Sequence, residues 1–116
     1  MTVKTIIDLL SAELICGEES LEREVHTACG SDMMSDVLAF VKDQAVLLTG
    51  LVNPQVIRTA EMMDMKCVVF VRGKRPNEAM CDLAKSLDIV LLATKLEMFT
   101  SCGILYKNGL RGGSGK

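Results

Sequence analysis

The run Arg72-Gly73-Lys74-Arg75-Pro76 sets three cations around a glycine, immediately ahead of a helix start. Glycine lets backbone approach a ligand closely, and the free N–H groups of a helix N-terminus favour negative charge, so the pattern suits a small anion. Two other short loops carry donors of the same kind, Thr49-Gly50 with Asn53, and Thr94-Lys95. The expected anion site therefore comprises Thr49, Gly50, Asn53, Arg72, Gly73, Lys74, Arg75, Thr94 and Lys95. Its chemistry stops at binding, because no carboxylate in these loops stands ready to hold Mg²⁺ for phosphoryl transfer. The plainer alternative is a solvated basic turn whose polar residues cap helices.

Other chemistry-bearing residues yield less. His26, the single histidine, falls on the polar side of an alternating segment and reads as a solvated side chain. Asp32 with Asp36 reads as helix capping, and Glu22 with Glu24 as a charged connection, so neither pair needs a metal. The ending Gly112-Gly113-Ser114-Gly115-Lys116 looks like part of a P-loop. The position reserved for that motif's first glycine holds Leu110, and no Ser or Thr follows Lys116. Cys16, Cys29, Cys67, Cys81 and Cys102 form no C-x-x-C pair and match no zinc or iron–sulfur spacing, so they read as thiols in a reducing compartment. No nucleophile with a base, and no metal set, is evident. A catalyst is the least favoured reading, and no cofactor is expected.

The loops with donors share one origin. Three apolar runs, at residues 45–48, 67–71 and 89–92, are short and continuous, as parallel strands covered on both faces are. Asn53-Pro54 opens a helix between the first two, and Pro76-Asn77-Glu78 opens another between the second and third. Strand–helix–strand–helix–strand implies right-handed crossovers and a parallel sheet. Leu48-Thr49-Gly50 then Pro54 is echoed by Val71-Arg72-Gly73 then Pro76, as two βα units sharing a turn would do. All three loops then leave the same carboxyl edge, where open α/β sheets bind ligands.

Before this unit, Thr2 caps a helix with Val3, Ile6, Ile7 and Leu10 on one face, and residues 12–16 read as a strand. Residues 24–29 alternate and read as a half-buried strand, the expected antiparallel or edge member. Gly30-Ser31-Asp32 is expected to turn the chain and cap a helix over 33–41 that includes Phe40 and Val41. After the last strand, Leu96, Phe99, Cys102 (or Gly103) and Tyr106 follow helical spacing, and Asn108-Gly109 is the stop. Residues 1–110 read as a single domain and 111–116 as a disordered Gly/Ser-rich tail.

At 116 residues the chain suffices for one real core. A formal net charge of −2 argues against nucleic acid as a bulk electrostatic partner. With neither a membrane-length apolar run nor a signal peptide, a soluble cytoplasmic protein is expected. Eight methionines and few aromatics suggest an aliphatic and thioether core, with Met62, Met63 and Met65 filling it or forming an adaptable contact surface.

In their order and spacing, Leu14-Ile15-Cys16-Gly17, Leu48-Thr49-Gly50, residues 71–76 and Ala93-Thr94-Lys95 resemble a stand-alone DRTGG domain across nearly the whole chain. The resemblance implies a fold similar to the N-terminal domain of HPr kinase/phosphorylase. It also implies a regulatory or assembly module of the kind found beside nucleotide-sensing CBS domains in some pyrophosphatases and in some phosphotransacetylases. Arg72-Gly73 stands where that family commonly shows a Gly-Gly step. A free-standing copy, of a bacterial type, would act as a homodimer or dock on a partner such as a metabolic enzyme or kinase.

The expected fold is a three-layer α/β/α sandwich of five strands and five helices around a mostly parallel sheet. The expected function is a non-enzymatic regulatory module that homodimerises and senses a small anion or nucleotide at the sheet's carboxyl edge. The alternative is a pure protein-interaction subunit of a larger metabolic complex, using the methionine-rich helix at 54–65 or the helix at 98–106, with no small ligand, nucleic acid or membrane involved.

Overall fold

The structure, a computed structural model, describes residues 1–39 and 44–112. Its strands are β1 (Glu13–Cys16), β2 (Thr27–Gly30), β3 (Ala45–Thr49), β4 (Cys67–Phe70) and β5 (Val90–Ala93). Its helices are α1 (Val3–Leu10), α2 (Met34–Leu38), α3 (Pro54–Met62), α4 (Glu78–Ser86) and α5 (Met98–Lys107), with one 3₁₀ turn at Glu18–Ser20. The sheet order is β1-β5-β4-β3-β2, antiparallel between β1 and β5 and parallel elsewhere.

Every residue of β3, β4 and β5 is buried, so the continuous apolar runs do mark strands with both faces covered. Strand alternation sorts them into two cores. Leu47, Val68, Phe70 and Leu91 meet Val37, Val56, Ile57, Ala60, Met80 and Ala84 of α2, α3 and α4. Val46, Leu48, Cys67, Val69, Val90 and Leu92 meet Val3, Ile6, Leu10 and Leu105 of α1 and α5. This is the three-layer α/β/α sandwich. Three helices start as the sequence suggests: Thr2, Asn53 and Asn77 each cap with a side-chain oxygen, and Pro54 takes the first helical position.

Three expectations change. The strand read at 24–29 runs Thr27–Gly30 instead; it is an edge strand, but parallel, and the antiparallel member is β1 on the opposite edge. Alternation misled there because α5 covers the face on which Ala28 sits, so both faces pack. The helix after it begins at Met34 without a side-chain cap, and Phe40 and Val41 lie outside the described residues. Arg111, placed in the tail by sequence, bridges to Thr27 and accepts the Ala28 N–H at 2.9 Å; residues 113–116 lie outside the described residues. The helix expected from Leu96, Phe99, Cys102 (or Gly103) and Tyr106 forms as α5: Leu96 and Cys102 pack against the core beside the buried Ser101 and Leu105, and Phe99 and Tyr106 face outward.

Met65 fills the core and Met62 is exposed. The Ser101 hydroxyl is buried and, among the described residues, makes no hydrogen bond. Ser101→Ala removes an unsatisfied group at nearly constant shape, so it is expected to raise stability by about 1 kcal/mol, read as a higher denaturation midpoint in urea.

Candidate functional site

At the carboxyl edge, Thr49 and Thr94 end their strands in the same manner. Each hydroxyl accepts the N–H two residues on, from Leu51 at 3.1 Å and from Leu96 at 3.2 Å. The Thr94 hydroxyl donates to the Leu10 carbonyl at 2.8 Å, tying β5 to the end of α1. Both threonines are buried, so both hold the local backbone. Asn53 is likewise committed, accepting the Gln55 N–H at 2.9 Å as the cap of α3.

The basic loop is a tight turn. The Lys74 N–H donates to the Val71 carbonyl at 3.1 Å, and Arg72 and Gly73 both take left-handed backbone, φ +60° and +73°. Glycine would suit both positions; Arg72 holds the first against strain. The turn's donors are not free for an anion. The Arg72 N–H reaches the Leu96 carbonyl at 2.8 Å and the Gly73 N–H the Thr94 carbonyl at 3.0 Å.

Charge is also partly neutralised at this edge. Asp32, just past β2, accepts the Gly50 N–H at 2.6 Å and the Thr49 hydroxyl at 3.3 Å, and pairs with Arg72 at 3.5 Å. The Arg72 guanidinium occupies the space that a Gly50 side chain would need. Arg75 makes a bidentate pair with Glu13, at 2.9 and 2.6 Å. Asp32 and Glu13 were missed by sequence reasoning. Its position before α2 suits Asp32 to a helix cap, but among the described residues α2 has no side-chain cap and the Asp32 carboxylate turns to Thr49 and Gly50. Reading β2 as a parallel strand ending at Gly30 would have placed it at this edge, beside Thr49.

The nine expected residues thus fall into two groups. Thr49, Gly50 and Arg72 contact Asp32, while Asn53 caps α3. Gly73, Arg75, Thr94 and Lys95 line a cleft of ≈ 420 Å³ together with Leu10, Ser11, Glu13, Ala93 and Leu96. Lys74 is exposed beside both, and neither it nor Lys95 makes an ion pair among the described residues. The cleft lies beyond the carboxyl ends of β4 and β5, whose following helices, α4 and α5, pack on opposite faces of the sheet. Its floor is aliphatic, and its rim holds cations and one carboxylate.

The Arg75 hydrogen bonds hold the Glu13 carboxyl below the ordinary glutamate range. A lowered folded value means that the pair contributes above the ordinary glutamate pKa and is lost as pH falls through the folded one. Acid therefore frees Arg75 at the rim. A carboxyl-carbon NMR titration is expected to place the Glu13 midpoint below that of a free glutamate, and Arg75→Ala to return it to the ordinary range.

Elsewhere little chemistry is placed. His26 is exposed just ahead of β2. Burial pushes the Cys67 thiol up to about 12 and raises those of Cys16 and Cys102, which makes them poor nucleophiles. Among the described residues no group of three or more His, Cys, Asp or Glu could hold a metal ion, and no helix is long and apolar enough to cross a membrane.

No curated protein matches the chain. Among solved structures, it is similar to the CBS and DRTGG domains of the regulatory region of Clostridium perfringens pyrophosphatase, crystallised with its activator, diadenosine tetraphosphate. That likeness has a TM-score of 0.70 at 18% identity, and it covers 90% of this chain but 45% of that one. At such identity it speaks to the fold alone. The sequence itself matches the DRTGG domain over residues 5–107, nearly its full length, and the chain belongs to the DRTGG domain family.

Proposed function

We propose that the chain is a non-enzymatic, cytoplasmic regulatory module that homodimerises and binds a small anionic or nucleotide ligand at the carboxyl edge of its sheet. The arrangement that supports the ligand half is the cleft bounded by Lys95, Gly73, Arg75 and Glu13 over Leu10, Ala93 and Leu96. Its size falls within the range of small-molecule sites, and it pairs an apolar floor with a few polar groups. Lys95 supplies a cation that no carboxylate among the described residues engages. The regulatory half leans on family membership and on a fold relative whose regulatory region carries a nucleotide activator. Kinship with the N-terminal domain of HPr kinase/phosphorylase, and an enzyme as the regulated partner, belong to the same proposal.

Isothermal titration with inorganic phosphate, adenosine monophosphate and diadenosine tetraphosphate tests the ligand half. Binding of at least one is expected, weakened about tenfold by Lys95→Ala through loss of one charge-assisted contact. Absence of heat with all three would remove it. A protein-interaction subunit without a small ligand is the second reading, and the outward Phe99 on α5 favours it.

A further inference from the structure

Phe99 is 88% exposed and Tyr106 55%. Exposed apolar residues are ordinary when scattered, and these are not scattered. With Gly103 they stand at i, i+4 and i+7 of α5, one stripe along the outer face of the helix. A Cβ added at Gly103 would meet nothing within 4 Å. Glycine in mid-helix is unfavourable relative to alanine, and the fold of the single chain supplies no steric reason for it. Beside the stripe lies a groove of ≈ 170 Å³ lined by Ala28, Gly30, Cys102, Tyr106, Leu110 and Arg111, with Gly112 at its end. The Arg111 guanidinium sits 4.0 Å from the centre of the Tyr106 ring and holds that ring at the mouth of the groove.

We propose that a second copy of this chain covers the stripe, the two α5 helices crossing antiparallel at Gly103 about a two-fold axis, with Phe99 of each copy seated in the groove of the other. This rests on the dimer half of the proposed function and names its surface. Three observations favour a second copy over an unrelated partner. The stripe is complementary to itself, since its projecting ring lies at the start of α5 and its groove flanks the middle and end; an antiparallel pair engages both twice, as a two-fold interface requires. Glu97 precedes α5 and Lys107 ends it, so the antiparallel arrangement sets opposite charges and opposed helix dipoles together. Gly103, bare of a side chain, lets the two helix axes approach closely at the crossing.

Sedimentation equilibrium of the full chain across a concentration series tests this. The wild type is expected to be a dimer. Phe99→Ser is expected to weaken it about 30-fold, as loss of a central aromatic anchor does. Gly103→Leu is expected to weaken it as strongly while leaving the thermal midpoint of the monomer unchanged or higher, because leucine favours helix and its Cβ would meet nothing within 4 Å. Helical circular dichroism confirms that both variants fold. If both variants dimerise like the wild type, this surface is wrong and the dimer forms through another face. If the wild type is monomeric throughout, the surface and the dimer half fall together, while the calorimetry of the cleft stands independently. A monomer that holds a different protein through Phe99, and loses it in Phe99→Ser, overturns the second copy in favour of a foreign partner.

Discussion

Phe70→Ala is expected to lower the free energy of unfolding by about 3–5 kcal/mol, read from the urea midpoint at unchanged slope. Phe70 is fully buried near the end of β4, the middle strand of the sheet, and faces the core under α2, α3 and α4. Its neighbours are held by backbone ladders on both sides and cannot collapse into the space. Domains of this size have only about 5–15 kcal/mol in total, so the variant sits near the edge of folding. The effect reaches the cleft, because the Thr94 N–H donates to the Phe70 carbonyl at 2.9 Å and Thr94 in turn accepts from the turn at Gly73. Amide exchange at Arg72 and Gly73 is therefore expected to accelerate. A loss below about 1.5 kcal/mol would mean that the thioethers of Met65 and Met80 close the cavity.

Gly17→Ala is expected to cost about 3 kcal/mol, from two sources. Gly17 has φ +104°, a conformation that L side chains rarely adopt. An added methyl would also lie 2.8 Å from Val90 Cγ2 and 3.1 Å from Val90 Cα, and the latter belongs to a strand that cannot shift. Gly109 provides the control, since it has φ +112° but nothing within 4 Å of an added methyl. Gly109→Ala is expected to cost about 1 kcal/mol, the conformational part alone. Equal losses at the two sites would show that the contact with β5 contributes nothing.

The sequence was most legible where burial was most complete. Residues 45–48, 67–71 and 89–92 are apolar on both faces because helices cover both, and each lies within one residue of its strand boundary. Asn53 and Asn77 announced their helices through side-chain chemistry that acts within three residues. What escaped notice was set by contacts distant in sequence. Asp32 and Gly50 meet across 18 residues, and Glu13 and Arg75 across 62. No local pattern distinguishes such carboxylates from a cap or a solvated charge. Glu13 was hidden twice over, because only an antiparallel β1 places its first residue against Ala93 at the carboxyl edge. The α5 stripe was read as helical, correctly, but periodicity does not say which face turns inward, and the small Ser101 proved to be on the buried one.

The two ends of the described chain adjoin. Met1 is held by the Val25 N–H at 2.7 Å, and Arg111 by the Ala28 N–H at 2.9 Å, both along the same stretch beside β2. Three residues of extended chain separate those anchors, about 10 Å. A folded unit whose entrance and exit lie that close can be spliced into a loop of another domain without prying the host open, and it can be permuted at a new opening with a short bridge across the old ends. In such a host, anything that shifted α1 or β2 would pull on the joints directly.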